Sequence, residues 1–276
     1  MSSPAMTERP KVWFVGAGPG AADLLTFRGA AAIAAADVVV WAASLVDQAV
    51  LRHARDGAEL LDSSAMTLEQ VVAVYDRALA ERLVVARVHS GDPTLYGAIQ
   101  EQIQACERRG LAWEIVPGVS SLAAAAAAAG HELTVPKVAQ SVLLTRLATR
   151  TEASMPPRER LRELARFGTT MALFLSCSRP RLLQTELEAG GYPPDTPCVV
   201  AYKVTWPDER IIRCPLRHLA AELRAARITR HALVLVGPAL ADGAAAGEAY
   251  RSHLYHPAFG HSFRRASRPG GGQADA

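Results

Sequence analysis

The sequence has little lysine, few aromatic residues and only four cysteines. Three of its 30 basic residues are lysine, aromatic residues make up 6% of the 276-residue chain, and the formal net charge is +3. Nucleic-acid-binding proteins usually carry a larger, clustered positive charge, so this class is disfavoured. The cysteines form no CxxC pair and no cluster with histidine at metal-ligand spacing, so the sequence predicts neither a disulfide framework nor a metal site.

Long apolar runs are also lacking. The longest, about residues 119–129, is mostly alanine and falls below the roughly 20 residues that a membrane span needs. The first apolar run, residues 12–15, ends at Gly16 and is too short for a secretory signal. We therefore expect a soluble protein of the cytoplasm, where cysteines stay reduced.

The chain does have a regular alternation of short apolar runs and helix-period segments, which is typical of an α/β protein. Strands are predicted at residues 11–15, 38–41, 84–89, 113–116, 141–145, 171–175, 197–202, 210–213 and 231–236. The segment Thr67-Leu-Glu-Gln70 is a capping box that begins a helix, and another helix is predicted over residues 96–109.

A change of composition near Pro136 divides the alternation into two halves. We predict an N-terminal α/β domain over residues 10–130, a linker over 131–138 and a C-terminal α/β domain over 139–240. A tail follows over residues 241–276, and its end has the composition of a disordered segment.

Three loops that contain glycine directly follow three of the predicted strands. They are Gly16-Ala-Gly-Pro-Gly20, His89-Ser-Gly-Asp-Pro-Thr-Leu-Tyr-Gly97 and Pro117-Gly-Val-Ser-Ser121. Loops after parallel strands all emerge at the carboxyl edge of the sheet, where α/β proteins bind their ligands. The three loops therefore predict one small-ligand site.

The first loop fits the dinucleotide fingerprint G-x-G-x-x-G/A loosely, which makes an NAD(P)-dependent oxidoreductase the alternative from another class. That motif needs an acidic residue at the carboxyl end of the second strand. Asp37 instead precedes this strand, and residues 42–44 after it are not acidic. Pro19 fixes its own φ angle, so the loop suits a rigid turn better than an open phosphate cradle.

Taken together, the three loops resemble those of the tetrapyrrole methylase family, which transfers a methyl group from S-adenosyl-L-methionine. Later segments are similar to the members that methylate precorrin-4 at C11. These are Glu132-Leu-Thr-Val-Pro136, residues 140–146, Arg150-Thr151, residues 174–176, 202–209 and 250–255. The resemblance covers about residues 10–265. It implies two αβα domains with cofactor and substrate in the cleft between them, a homodimer, and a C-methyltransferase of cobalamin biosynthesis that gives precorrin-5.

The resemblance also implies binding residues. The cofactor contacts carried over by position are Pro19, Ser90, Gly91, Asp92, Leu95, Ser120, Ser121, Leu175, Val204 and Ala232. The substrate contacts are Ser44, Tyr96, Arg146, Arg150 and Lys203. The three basic residues among them suit the acetate and propionate arms of a polyanionic tetrapyrrole.

No catalytic base is identified. Relatives that methylate uroporphyrinogen carry an aspartate where this chain has Ala42, so an acid–base role cannot be carried over to that position. Two alternatives within this chemistry stay open, the same reaction on cobalt-precorrin-4 and methylation at another ring carbon. A non-catalytic tetrapyrrole carrier is a third alternative. A metal held by the substrate needs no protein ligand, so the sequence does not distinguish precorrin-4 from cobalt-precorrin-4 as the substrate.

Overall fold

The computed structural model describes residues 10–148, 153, 155–243, 252, 254, 256 and 258–266. Arg150 lies outside the described residues, and so does the end of the tail that we predict to be disordered, residues 268–276.

The first sheet has five strands, all parallel, in the spatial order β3-β2-β4-β1-β5. The strands are β1 Lys11–Gly16, β2 Val38–Trp41, β3 Glu59–Asp62, β4 Val84–His89 and β5 Ala112–Val116. Because β4, β1 and β5 are neighbours, the loops that follow them leave the same stretch of the carboxyl edge. The short strand β3 was not predicted from the sequence, since it has no β-branched residue and a mostly exposed surface.

Four helices accompany this sheet: α1 Phe27–Ala35, α2 Leu68–Glu81, α3 Gln100–Arg108 and α4 Ser121–Ala129. The predicted capping box of α2 is confirmed, because Gln70 N donates to Thr67 Oγ1 over 3.4 Å and Thr67 N donates to Gln70 Oε1 over 2.8 Å. The two faces of the sheet bury different side chains. Phe14 packs in one cluster with Tyr75 of α2, and Val15 packs in another with Ile33 of α1.

The predicted start of the third helix at residue 96 is wrong. Helix α3 begins at Gln100, because Tyr96 and Ala98 adopt left-handed φ angles of 57° and 49°. Gly97 between them has no room for a side chain, since a Cβ there would lie 2.1 Å from the Pro93 carbonyl oxygen. The chain therefore makes a tight turn before the helix starts.

The second sheet has the order β6-β7-β10-β8-β9. Its strands are β6 Val142–Arg146, β7 Thr170–Phe174, β8 Pro197–Tyr202, β9 Arg210–Pro215 and β10 Ala232–Val236. The β6–β7 pair is parallel and the β7–β10 pair antiparallel, so this sheet is mixed. The helices are α5 Leu161–Ala165, α6 Pro180–Ala189 and α7 Leu216–Ala225, and α6 and α7 pack on each other with fully buried leucines on each.

Contacts group the chain into two compact units. The first contains the described residues up to Ala129 together with Ala201–Ile211 and His231–Leu233. The second contains Gly130–Val200, Ile212–Arg230 and the described residues from Val234 onward. Two short segments of the predicted C-terminal domain thus group with the first unit. Among the described helices, none is long and apolar enough to cross a membrane.

Candidate functional site

The three glycine loops meet, as the sequence predicts. Gly18 and Gly91 form a two-way backbone bridge, with Gly18 N donating to Gly91 O over 3.2 Å and Gly91 N donating to Gly18 O over 2.7 Å. The third loop joins them through Gly118 N, which donates to Asp92 Oδ2 over 2.9 Å. The loops after β1, β4 and β5 therefore form one junction at the carboxyl edge of the first sheet.

Glycine is required at this junction because the backbones touch. A Cβ on Gly118 would lie 2.2 Å from Gly91 O, and a Cβ on Gly16 would lie 2.5 Å from the Gly118 Cα. Both distances are far below van der Waals contact, so any larger residue would force the loops apart. The glycines thus serve loop-to-loop packing.

Asp92 joins the second and third loops through both oxygens of its carboxylate. Oδ1 accepts hydrogen bonds from the Thr94 amide, over 2.8 Å, and from the Thr94 hydroxyl, while Oδ2 accepts from Gly118 N. Partial burial acts to raise the pKa of Asp92, but the hydrogen bonds from Thr94 and Gly118 outweigh it, and the pKa lies below its ordinary value. The residue is therefore an ionised clamp within the junction.

The amino end of α4 borders the open side of the junction. Gly91 has a φ of 66°, and the atom nearest to a Cβ built on it is Ser121 N, 3.7 Å away. Ser120 Oγ accepts a hydrogen bond from Leu122 N over 3.2 Å, so one amide at this helix end is capped by a side chain. Helix amino ends with free N–H groups favour anions, so this place fits a carboxylate. Ser90 in the second loop is exposed, and Leu95 further along the same loop is half-buried.

The first glycine loop is covered by two side chains that the sequence analysis did not single out as site residues. Thr205 Oγ1 accepts a hydrogen bond from Ala21 N over 2.9 Å, and Trp206 Nε1 donates to Pro19 O over 3.1 Å. A Cβ on Gly20 would lie 2.3 Å from Trp206 Cδ1. The loop therefore holds an indole rather than a phosphate, in line with the predicted rigid turn.

The Lys203–Trp206 segment also contains the predicted cofactor contact Val204, which is buried. Lys203 N donates to His231 O over 2.8 Å, and the next predicted contact, Ala232, begins β10 directly after His231. Lys203 Nζ lies 2.7 Å from Asp208 Oδ2, and this hydrogen bond raises the pKa of Lys203. The charge of Lys203 is thus already compensated within the unit.

Two predicted substrate residues lie on exposed loops of the first unit. Ser44 follows β2, and its amide donates to Ser64 Oγ over 3.1 Å. The loop is ordered by Asp62 at the end of β3, whose Oδ1 accepts from Ala43 N over 3.1 Å and from Ser64 N over 2.9 Å. Tyr96 is 45% exposed in the turn before α3. Both residues lie at the carboxyl edge of the first sheet.

The remaining predicted residues belong to the second unit. Arg146 ends β6 and pairs in register with Phe174 at the end of the parallel strand β7. Leu175 follows immediately, with a left-handed φ of 53° and 67% of its surface exposed. Arg146 and Leu175 therefore lie at one carboxyl edge of the second sheet.

The second unit also contains a cavity of about 460 Å³ that the sequence did not indicate. Arg160 and Arg179 line it above a partly apolar wall that includes Leu147, Leu161 and Leu182. Its described lining contains none of the residues predicted to bind cofactor or substrate.

The structure weakens the dinucleotide alternative further. Asp37 lies at the amino end of β2, where its Oδ2 accepts a hydrogen bond from Val84 N over 2.7 Å and its Oδ1 pairs with Arg55. It therefore holds the start of two strands together, at the edge opposite the glycine loops. Within the described part of the chain, no group of three or more His, Cys, Asp or Glu side chains is placed to hold a metal.

Comparison with known sequences identifies relatives over nearly the whole chain. A family model described as tetrapyrrole (corrin/porphyrin) methylases matches residues 11–220. Cobalt-precorrin-4 C(11)-methyltransferase of Priestia megaterium is 44% identical over 255 residues, which cover 92% of this chain and 98% of that protein. Precorrin-4 C(11)-methyltransferase of Mycobacterium tuberculosis strain H37Rv is 44% identical over 229 residues, covering 83% and 91%.

Solved structures agree with these relatives. The cobalamin biosynthetic enzyme cobalt precorrin-4 methyltransferase superposes with a TM-score of 0.81 at 44% identity, over 84% of this chain and 96% of that one. Uroporphyrin-III C-methyl transferase from Thermus thermophilus, solved with S-adenosyl homocysteine, superposes with a TM-score of 0.70 at 27% identity, over 83% and 97%. The chain therefore belongs to the tetrapyrrole (corrin/porphyrin) methylase family and has its α/β fold.

Proposed function

We propose that this protein is an S-adenosyl-L-methionine-dependent C-methyltransferase of cobalamin biosynthesis, which methylates precorrin-4 at C11 and gives precorrin-5. The observation that carries the proposal is the junction of the three glycine loops at the carboxyl edge of the first sheet. It occurs in a chain that is 41–44% identical to relatives named for methylation of precorrin-4 or cobalt-precorrin-4 at C11.

The residues of the junction suit the methyl donor. The carboxylate of the methyl donor fits beside the Ser121 amide at the amino end of α4, where Gly91 leaves space. Pro19, Ser90, Asp92, Leu95, Ser120, Val204 and Ala232, with Leu175 of the second unit, complete the proposed contacts. Most of these side chains are small or apolar, so much of the recognition falls to backbone groups. When bound, the cofactor supplies an activated methyl group on a sulfonium centre.

The protein's own part in methyl transfer is alignment and exclusion of water. Holding two reacting groups in line is worth about 7–11 kcal/mol in well-oriented systems. Asp92 is ionised but its carboxylate already accepts hydrogen bonds from Thr94 and Gly118. We therefore assign it to holding the loops in place, and we assign no residue to proton removal.

The substrate is a polycarboxylate. Ser44 and Tyr96 flank the proposed substrate side of the first unit, and Arg146 and Arg150 provide positive charge for the carboxylate arms. Lys203 can join them only by leaving Asp208, which it contacts at 2.7 Å. A homodimer and a cytoplasmic location complete the proposal and stay predictions.

The form of the substrate has two candidates. Relatives with 44% identity carry both names, one for the cobalt-bearing and one for the metal-free compound. Turnover of precorrin-4 and of cobalt-precorrin-4, measured in parallel, decides between them by the ratio of kcat/KM.

Calorimetry tests the enzyme class. We expect S-adenosyl homocysteine and S-adenosylmethionine to bind and NADPH to give no heat. Binding of NADPH alone would support the oxidoreductase instead, and binding of none of the three would support a carrier.

A further inference from the structure

A strained turn carries the proposed substrate residue Tyr96. Tyr96 and Ala98 both have left-handed φ angles, 57° and 49°, although neither is glycine. Such conformations are strained for residues other than glycine and persist only where the surroundings hold them. Helix α3, which follows directly, has Ile99 as its N-cap and receives no side-chain capping bond there. The turn therefore has to be held by another group.

Gln102 holds this turn from inside the protein. Its side chain is buried, and Nε2 donates to Ala98 O over 2.9 Å. The orientation of the amide is fixed by two donors to its other end, since Tyr75 OH donates to Oε1 over 2.8 Å and Arg87 Nε donates over 3.3 Å. Because both donors require the oxygen, the nitrogen must face the Ala98 carbonyl.

Arg87 extends the same network to the neighbouring loops. Its Nη1 donates to Ser63 Oγ over 3.0 Å and to Val40 O over 3.4 Å. Ser63 Oγ in turn donates to Trp41 O over 3.1 Å. One guanidinium thus links the ends of β2 and β3 to the turn before α3.

Arg87 is half-buried, so its guanidinium loses part of its hydration. Burial lowers the pKa of Arg87, and Tyr75 partly opposes the shift. Within the described part of the chain its hydrogen-bond acceptors are the neutral oxygens of Gln102, Val40, Val88 and Ser63. Buried charges are normally paired with an opposite charge. Arg87 donates to three chain segments but pairs with no carboxylate among the described residues, so its guanidinium serves to fix the relative positions of these segments.

We propose that Gln102, oriented by Arg87 and Tyr75, is a positioning residue that sets the turn bearing Tyr96 for the tetrapyrrole. This inference rests on the proposed function for its catalytic consequence. The contact that it invokes, from Gln102 Nε2 to Ala98 O, is a property of the fold and is tested separately.

The decisive variant is Gln102→Glu. Its carboxylate still accepts from Tyr75 and pairs with Arg87, so the protein folds, but it cannot donate to the Ala98 carbonyl. We expect faster amide hydrogen exchange in residues 95–99 and a kcat at least about tenfold lower, because small misplacements near the reacting centre are costly. The dissociation constant for S-adenosyl homocysteine changes by a smaller factor than kcat, because Leu95 is the one proposed cofactor contact within residues 95–99.

Two controls isolate the turn. Gln104→Glu makes the same chemical change at an exposed position of the same helix, and Tyr75→Phe removes one donor to Gln102 while leaving the bond to Ala98. Both are expected to keep wild-type exchange in residues 95–99. If Gln102→Glu fails to fold, Gln102→Met replaces it, since it has a similar volume and also cannot donate to the Ala98 carbonyl.

The outcomes are separable. Wild-type exchange in Gln102→Glu overturns the proposal whatever the enzyme does. Faster exchange with an unchanged kcat overturns the positioning role and leaves only a structural bond. A wild-type protein that transfers no methyl group refutes the proposed function and the catalytic consequence, while the exchange comparison still tests the hold on the turn.

Discussion

Asp92 is a single side chain on which two loops depend. Asp92→Asn keeps the shape but places an NH₂ group against the donors of Thr94 or Gly118. Hydrogen bonds to charged groups are worth about 1.5–3 kcal/mol, so we expect a loss of about 1–3 kcal/mol in the free energy of unfolding. Urea denaturation measures it, and calorimetry should show weaker binding of S-adenosyl homocysteine. Unchanged values for both would contradict the clamp.

The stability that Asp92 provides should also depend on pH. Its pKa in the folded protein lies below the ordinary value of 3.8, so the folded state favours the ionised form. The contribution is fully present above the unfolded pKa and is lost as the pH falls through the folded pKa. The difference in unfolding free energy between wild type and Asp92→Asn should therefore be constant above about pH 5 and shrink below pH 4. A difference that grows on acidification would contradict this sign.

Gly20 tests the contact between the first loop and the indole. Gly20→Ala places a Cβ 2.3 Å from Trp206 Cδ1 and 2.8 Å from Thr205 Oγ1, and such overpacking costs about 1–3 kcal/mol. The same substitution should cost less in a Trp206→Ala background, because only the contact with Thr205 Oγ1 is left there. Equal costs in the two backgrounds, measured by thermal or urea unfolding, would show that the indole does not cover this loop.

Arg146 tests the substrate side at the level of one residue. We expect Arg146→Ala to raise the KM for the tetrapyrrole and to leave the affinity for S-adenosyl homocysteine unchanged, because only the substrate carries several carboxylates. Arg158→Ala, an exposed arginine of the same unit, is the matched control. Unchanged steady-state constants for the tetrapyrrole would remove Arg146 from the site.

At the scale of elements, a substitution at the start of α2 should lower the stability of the fold without changing the catalytic constants. Thr67→Ala removes the capping hydroxyl that accepts from Gln70 N, and losing such a cap costs about 0.5–2 kcal/mol. The midpoint of urea unfolding should fall while kcat and KM stay at wild-type values. A parallel loss of kcat would mean that α2 acts on the site and not only on folding.

The elements that sequence reasoning identified are those whose signal is local. The pattern that predicts strands β1, β2 and β4, and the capping box at Thr67, involves only neighbouring residues in the sequence. Helix α1 and strand β3 were not predicted, since α1 is largely alanine and β3 is four residues long. The start of α3 was misplaced because the chain makes a left-handed turn at Tyr96 and Ala98. The bond from the buried Gln102 side chain to the Ala98 carbonyl is not visible in the helical pattern.

The same distinction applies to the candidate site. The three glycine loops could be predicted because each follows its own strand and parallel strands share one carboxyl edge. Thr205 and Trp206 could not, because they contact Ala21 and Pro19 from more than 180 residues away. Gly20 was the available hint, since a glycine in a rigid turn often marks the close approach of another group.

At the scale of the whole molecule, the modest net charge of +3 says little about the substrate. Within the proposed site the individual charges are more informative. Asp92 and Lys203 are already bonded inside the first unit, and the half-buried Arg87 donates to Val40 O and Ser63 Oγ at the ends of β2 and β3. We therefore assign cofactor recognition to the loop junction, and substrate recognition to a few arginines and to the Tyr96 turn.

The most direct test of this account follows the methyl group itself. The purified protein is incubated with enzymatically prepared precorrin-4 and S-adenosylmethionine carrying a ¹³C-labelled methyl group, and the label is located in the product by NMR. We predict one label per product, at C11. A label at another ring carbon would contradict the proposed reaction while leaving the family intact, and the absence of label from precorrin-4 and cobalt-precorrin-4 alike would contradict its central claim.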